Sequence, residues 1–403
     1  MTDPATRRAR LAVSAMFFTN GALFANLVPR YPEVKAALDL GNATYGVVVA
    51  AFSAGSLVAG LAAAAAMRRV GSAAVAVGGT LVTALCILAA GFAPSAAVFA
   101  LALFLAGAAD ALTDVGQNAH GLRVQRRMGR SIINSFHAIW SIGAVTGGVM
   151  AAGAIALGLP LGPHLAVSAV LFSGLALAAW RFRLRGVEGA AVPEDHPEHR
   201  PVATPGTDGH PGRTRTLLVL AALVLIATAG TTVEDAGNSW AAVYLAGPLG
   251  AAPALAASGF VALVGAQFVG RLLGDRMVDR FGQRAVARFG GALVAIGMGA
   301  ALAFPSVPGT VVGFAAAGFG VATLVPAAMH QADELPGLRH GTGLTVVSWL
   351  MRIGFLLSPP IVGAIADATS LRVGLLVVPL AGLVVLATSG VLNARTRRPV
   401  PVG

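Results

Sequence analysis

The sequence predicts an all-α polytopic membrane protein, with twelve transmembrane helices forming two pseudo-symmetric six-helix bundles. Three observations predict it. Of 403 residues, 56% are hydrophobic and only 11% charged, whereas soluble domains carry about a quarter charged residues. Apolar runs recur that are long enough to cross about 30 Å of hydrocarbon at about 1.5 Å per residue. Arginines collect in alternate connections between those runs, the pattern that positive charge makes on the cytoplasmic side of a membrane.

The first run, Leu11 to Val28, follows a basic tail of Arg7, Arg8 and Arg10 and contains Asn20 and Asn26. No small-residue cleavage site follows it, so it reads as an uncleaved span rather than an export signal. Thr44 to Met67 ends on Arg68 and Arg69. Ala73 to Phe92 holds Cys86, the lone cysteine, which excludes a disulfide framework and reads as packing. Ala96 to His120 ends ahead of Arg123, Arg126, Arg127 and Arg130. Ile132 to Gly158 is rich in glycine, and His164 to Phe182 closes the first set at Arg181.

Residues 186–215, rich in Pro, His, Gly and acids, read as a flexible cytoplasmic linker between an N-terminal bundle, 1–185, and a C-terminal bundle, 216–403. Its His196, His199 and His210 beside Glu194, Asp195 and Glu198 read as solvated linker rather than a metal site. Thr216 to Leu245, Ala254 to Gly274, Ala285 to Phe304, Gly309 to His330, Gly341 to Ala366 and Leu371 to Leu392 follow. Pro326, Pro359 and Pro360 are expected to kink the tenth and eleventh of these spans.

Among the 28 Lys and Arg residues, all but Arg30, Lys35, Arg271, Arg352 and Arg372 fall at one face. That face is expected to be the cytoplasmic side of a bacterial inner membrane, with both termini on it. The net charge of +11 then serves topology and anionic lipid. A nucleic-acid reading has no aromatic and basic platform to rest on. Nothing in the spacing asks for a cofactor or a metal, and a monomer is expected.

The two halves look related. Setting Arg69-Val70-Gly71 on Arg280-Phe281-Gly282 brings Gly78-Gly79 close to Gly290-Gly291 and Ala93-Pro94-Ser95 close to Phe304-Pro305-Ser306. Repeats related by an axis along the membrane normal put a substrate site between them. Glycines in the fifth span (Gly143, Gly147, Gly148, Gly153) and the eighth (Gly259, Gly265, Gly270) would let backbones of the two halves approach closely.

Between Phe268 and Arg284, acids and arginines crowd between two apolar runs, which puts them at a membrane face as a turn. Gly274 and Gly282 would bend it, while Asp275 and Asp279 would accept from helix N-termini or from Arg276, Arg280 or Arg284, making a cytoplasmic gating latch. Here the chain resembles the major facilitator superfamily of secondary transporters. Asp279-Arg280-Phe281-Gly282-Gln283-Arg284 matches the core of that family's signature loop, with Gln283 for its first arginine and Gly274 one place early. The first-half loop, Met67-Arg68-Arg69-Val70-Gly71-Ser72, has Arg68 where the family has an acid.

In the fucose-permease-like and rhizopine-transport-like branches the fourth helix carries an Asp-x-x-x-Asn, which Asp114 and Asn118 match. Asn20-Gly21, then Pro29-Arg30-Tyr31-Pro32-x-x-Lys35, and Glu234 with Trp240 and Tyr244-Leu245 are similar to the rhizopine type, with Ser239 in place of its usual acid. The drug-antiporter branch has a Gly-Pro pair in the fifth helix, where this chain has Gly147-Gly148.

Carboxylates within spans cannot face lipid. Asp110, Asp114, Gln117 and Asn118 recur at three- and four-residue spacing, which puts them on one stripe. Asp110 falls about 20 Å from the outer end of its helix, where a carboxylate in a cleft can load and release a proton. Asp114 lies nearer the cytoplasmic end and leans toward a structural role. Arg352 falls about 15 Å in from the cytoplasmic end of its helix, near the level of Asp110; it would hold an anionic or hydroxylated substrate, or pair with Asp110 when the site is empty. Glu234 comes out about 27 Å from that face, beyond reach of Arg352 unless its helix is tilted or broken, which Gly230 and Gly237 would allow. Glu234, Asp235 and Asn238 with Trp240 suit an outer gate or a sugar-stacking platform. Asn20, and His137 and Trp140 in the fifth span, are candidate cavity liners.

The expected function is secondary active transport of a small polar organic solute, sugar-like or anionic, by alternating access and coupled to protons. An exporter of hydrophobic compounds is the alternative; its cavity would be aromatic, and this chain is 6% aromatic. A membrane-embedded enzyme lacks support, since no His-x-x-x-His, Gly-x-Ser-x-Gly or phosphate loop occurs. A non-transporting receptor would tolerate neutralisation of Asp110 and Arg352.

Overall fold

The computed structural model describes residues 3–129, 132–184, 213–336, 338 and 342–393. Among these residues the regular elements are all helical. Twelve helical spans are long and apolar enough to cross a membrane: α1 (Pro4–Ala37), α2 (Asn42–Gly60), α3 (Ser72–Ala90), α4 (Ala96–Met128), α5 (Ser135–Ala156), α6 (Leu161–Arg181), α7 (Thr214–Ala246), α8 (Pro253–Phe281), α9 (Gln283–Ala303), α10 (Val307–Asp333), α11 (Thr342–Ala368) and α12 (Leu371–Val391). Nearly all of the linker expected at 186–215, with its histidines, lies outside the described residues; Arg213 already opens a helix that runs unbroken to Ala246.

Connections alternate between two faces. The near face carries the start of α1 and the turns at Gly71 and Gly282; the far face carries 38–41, 91–95, 157–160, 247–252, 304–306 and 369–370. The internal repeat is visible in how these turns are built. Gly71 has φ 86° and ψ 156°, and Gly282 has φ 84° and ψ 154°, a backbone that a Cβ would strain. Ser95 and Ser306 each sit extended ahead of a helix and accept from a backbone N–H three residues on, of Val98 at 3.4 Å and of Gly309 at 3.2 Å.

Packing repeats with the same interval, the 211 residues between Gly71 and Gly282 (282 − 71). Gly107 lies against the carbonyl of Phe52, and Gly318 against that of Leu263. Gly79 meets the Ala109 carbonyl, and Gly290 that of Gly320. Each contact brings two backbones closer than any side chain allows, the means by which membrane helices associate without a hydrophobic driving force between them.

The gating latch differs from expectation. The stretch from Phe268 to Arg284 is not a long turn: helix continues through Gly274, Asp275, Asp279 and Arg280 to Phe281, and the reversal is confined to Gly282. Asp275 and Asp279 are exposed and, among the described residues, form no hydrogen bond or ion pair, and the Arg280 guanidinium lies 5.4 Å from the ring centroid of Phe281. A helix carried past the apolar run projects these side chains outward at its sides instead of folding them together. Gly274 is buried against the Thr323 methyl of α10. Arg284 turns to the end of α12, donating to the Leu392 carbonyl at 3.0 Å.

The two bundles meet along the far half of the molecule. Gly46 of α2 packs on the carbonyl of Pro359, and Gly363 on that of Asn42. The Asp367 carboxylate accepts from the Asn42 N–H and side-chain amide, both at 2.9 Å, and from the Ala43 N–H at 2.8 Å. An acid of one bundle thus caps a helix of the other. Tyr45 donates its hydroxyl to the Ser239 carbonyl at 2.5 Å and meets Trp240 edge-on, centroids 4.8 Å apart. On the second pair of crossing helices, Gly148 of α5 faces Phe260 of α8.

Candidate solute and proton site

One hydrogen-bond network joins α1, α4 and α5 halfway through the first bundle. Asn20 is its hub. Its side-chain N–H donates to Asp110 Oδ1 at 2.5 Å, while its Oδ1 accepts from Trp140 Nε1 at 2.8 Å and from Gln117 Nε2 at 3.4 Å. Gln117 also reaches Asp114 Oδ1 at 3.3 Å. Asn118 donates to the same oxygen at 3.0 Å and to the Asp114 carbonyl at 2.8 Å, and its own Oδ1 lies 3.2 Å from His137 Nε2. The structure therefore brings the stripe residues Asp110, Asp114 and Asn118 into one chain of contacts with Asn20 and His137. Trp140 and Gln117 join it as binding partners.

Exposure grades along that chain. Asn20 and Gln117 are buried, Asp110 and Asn118 are half-buried, and Asp114 and His137 are exposed. This open end looks toward the second bundle, because His137 lies within electrostatic reach of Arg271 on α8 as well as of Asp114. Arg271 in turn stands 3.8 Å from Glu234 of α7, whose carboxylate also accepts from Gln267 Nε2 at 2.8 Å. Glu234 thus turns toward α8 from an unbroken α7 and does not reach Arg352.

Arg352 is exposed and, among the described residues, makes no hydrogen bond or ion pair. The expected pair with Asp110 is absent among the described residues; the Asp110 carboxylate meets Asn20. Pro359 and Gly363 follow Arg352 at helical intervals of seven and eleven, so the guanidinium lies on the stripe of α11 that packs against α2 further out. Charge at mid-depth is costly unless it meets water, so exposed Asp114 and His137 on the first bundle and exposed Arg271 and Arg352 on the second imply a wet cleft between the bundles on the near side.

Asn238 and Trp240 lie beyond this cleft, in the closed far seam. Trp240 is fully buried against Tyr45, so the expected stacking platform is not open to a solute in this conformation. No group of three or more His, Cys, Asp or Glu that could hold a metal ion occurs among the described residues. Sequence reasoning under-weighted Arg271, Gln267 and Asp367. Arg271 was legible as an arginine inside an apolar run, but Gln267 and Asp367 carry no spacing signal.

The second bundle does not repeat this chemistry. One repeat interval on from Asp110, Asp114 and Gln117 stand Val321, Val325 and Ala328. At the equivalent of the Asn20 and Trp140 contact, Thr231 Oγ1 donates to the Met351 carbonyl at 3.2 Å. The scaffold is duplicated, and the ionisable groups are not.

Comparisons with known proteins agree with this architecture. The family model of the Major Facilitator Superfamily matches residues 13–276 and 220–402. An uncharacterized transporter, y4wD, of Sinorhizobium fredii (strain NBRC 101917 / NGR234) is 29% identical over 385 residues, 94% of this chain and 97% of that protein. The membrane protein MosC of Rhizobium meliloti is 29% identical over 406 residues, 99% of this chain and 94% of that protein. Among solved structures, a variant of the nucleoside transporter NupG superimposes with a TM-score of 0.75 at 12% identity, covering 95% of this chain and 99% of that one. Matched over both halves, with twelve spans in two related bundles, the chain belongs to the Major Facilitator Superfamily, a family of membrane transporters rather than enzymes.

Proposed function

We propose that the protein is a proton-coupled secondary transporter of a small polar organic solute, sugar-like or anionic, working by alternating access across a bacterial inner membrane. The observation that carries this reading is the network centred on Asn20, which runs from a half-buried carboxylate, Asp110, to exposed Asp114 and His137 at the wall of an inter-bundle cleft. Hydrogen-bond donors and acceptors held at mid-depth are costly in hydrocarbon unless they serve a wet path. The arginine distribution supports a cytoplasmic near face, so that the conformation described is open inward. A cleft walled by amides, carboxylates and guanidinium groups suits a hydroxylated or charged solute and disfavours export of hydrophobic compounds. That NupG carries nucleosides is in keeping with a hydroxylated ring as cargo.

In this reading Asp110 exchanges the proton, Asn20 reports its charge state to Gln117 and Trp140, and Arg271 and Arg352 meet the solute from the second bundle. Proteoliposomes containing a pH-sensitive dye, exposed in turn to a panel of neutral sugars, sugar acids and nucleosides, test it. At least one compound should acidify the lumen only when the protein is present, and Asp110→Asn should abolish that signal while leaving exchange of the same compound down its gradient. Solute flux with no proton signal in either protein would overturn the coupling, and no flux with any of these compounds would overturn the solute class.

A further inference from the structure

The far seam contains a cluster of buried polar groups that the solute site does not use. Asp235 of α7 is 7% exposed, forms no ion pair among the described residues, and has an enclosed Oδ2 without a hydrogen-bond partner. Around it the Tyr31 hydroxyl, the Ser358 hydroxyl and the Trp240 indole N–H are likewise enclosed and unpaired, and each of these residues is at most 4% exposed. The hydroxyls of Ser358 and Ser239 stand beside the carboxyl. These side chains come from α1, α7 and α11, with Tyr45 of α2 nearby, so the cluster lies where the two bundles touch.

The charged and titratable groups facing Asp235 are Tyr31 from α1, Tyr45 from α2 and Glu234 from its own helix. None is a cation. Arg30 on the adjoining turn is engaged by Glu33 at 2.7 Å and by the Leu159 carbonyl, also at 2.7 Å. Lys35 donates to the Leu40 carbonyl at 2.8 Å, and Asp367 caps α2. Arg352 lies about 9 Å below Ser358 along α11. Glu234 has Gln267 and Arg271 for company; Asp235 faces two serine hydroxyls and, among the described residues, no cation.

We propose that Asp235 is a proton-binding site that locks the far seam, neutral when the bundles close over it and ionised when they part and water reaches it. An unpaired carboxylate shut away from water is far costlier than the neutral acid. Closing the seam therefore takes up a proton from the far side, and opening returns it. Because the closed state holds one proton more, the ratio of closed to open molecules falls up to about tenfold per unit rise in pH above the value at which the exposed acid ionises. The inference rests on the alternating-access reading but not on the role given to Asp110.

Spin labels test it. Ala37→Cys and Ala252→Cys, exposed on opposite bundles at the far face, are introduced with Cys86→Ser, and the label-to-label distance is measured in lipid nanodiscs from pH 5 to pH 8. The otherwise unaltered protein should gain a longer-distance population as pH rises. Asp235→Asn and, as a second variant that keeps a small polar side chain, Asp235→Ser should hold the short distance throughout. A pH response unchanged in both Asp235 variants, or absent from the unaltered protein, would overturn the proposal. The measurement needs neither solute nor flux, so it stands or falls apart from the transport test.

Discussion

Asn20 holds three partners at once, and each is a different kind of group: a carboxylate, an amide and an indole. Polar contacts between membrane helices average about 0.6 kcal/mol each, so Asn20→Ala should lower stability by about 2 kcal/mol, read as a fall in melting temperature. It should also free Asp110 to pair elsewhere and weaken solute binding more than tenfold in a thermal-shift titration. A variant that melts lower yet binds as before would reduce the network to a brace. Much of this site was legible in the chain itself. Asp110, Asp114 and Asn118 announce themselves because acids at helical spacing inside an apolar run must share a protected face. The choice of Asn20 as partner over Arg352 was not legible, since it depends on how far the bundles have separated at that depth, which spacing along one helix does not encode.

At the level of single helices, glycine sets where the bundles touch. A Cβ on Gly46 would lie on the Pro359 backbone, and one on Gly363 on that of Asn42. Neither neighbour can yield, because both are main chain. Gly46→Leu should therefore prevent closure of the far seam, cutting transport to below a tenth while leaving the first bundle folded; normal flux would show that the seam closes by another contact. Helix number and order follow from apolar length, but helix ends do not. Residues of the signature stretch stay helical to Phe281, since Gly274 is packed on Thr323 within the helix and the backbone turns at φ 84° only at Gly282, and the charges before it do not by themselves break a helix that emerges into water.

Across the whole molecule, a duplicated scaffold carries unduplicated charge. Glycine contacts, serine caps and left-handed turns recur at one interval, whereas Asp110 and Asp114 belong to the first bundle alone and Arg271 and Arg352 to the second. A solute bridging both walls gives the bundles a reason to close over it, which an empty cleft lacks. For the proton, Asp110→Asn should leave downhill exchange and lose uphill accumulation, as measured in the dye-loaded vesicles above; equal loss of both would make Asp110 a binding residue only.

The cap that Asp367 places on α2 has a further use. It exists only while the far seam is shut, since its donors, the Asn42 and Ala43 amides, belong to the opposite bundle. Those two amides should exchange with deuterium slowly in the conformation described and quickly each time the seam opens, and Asp367→Ala should make them fast in both. The first turn of one helix thus serves as a built-in clock for a motion of the entire transporter.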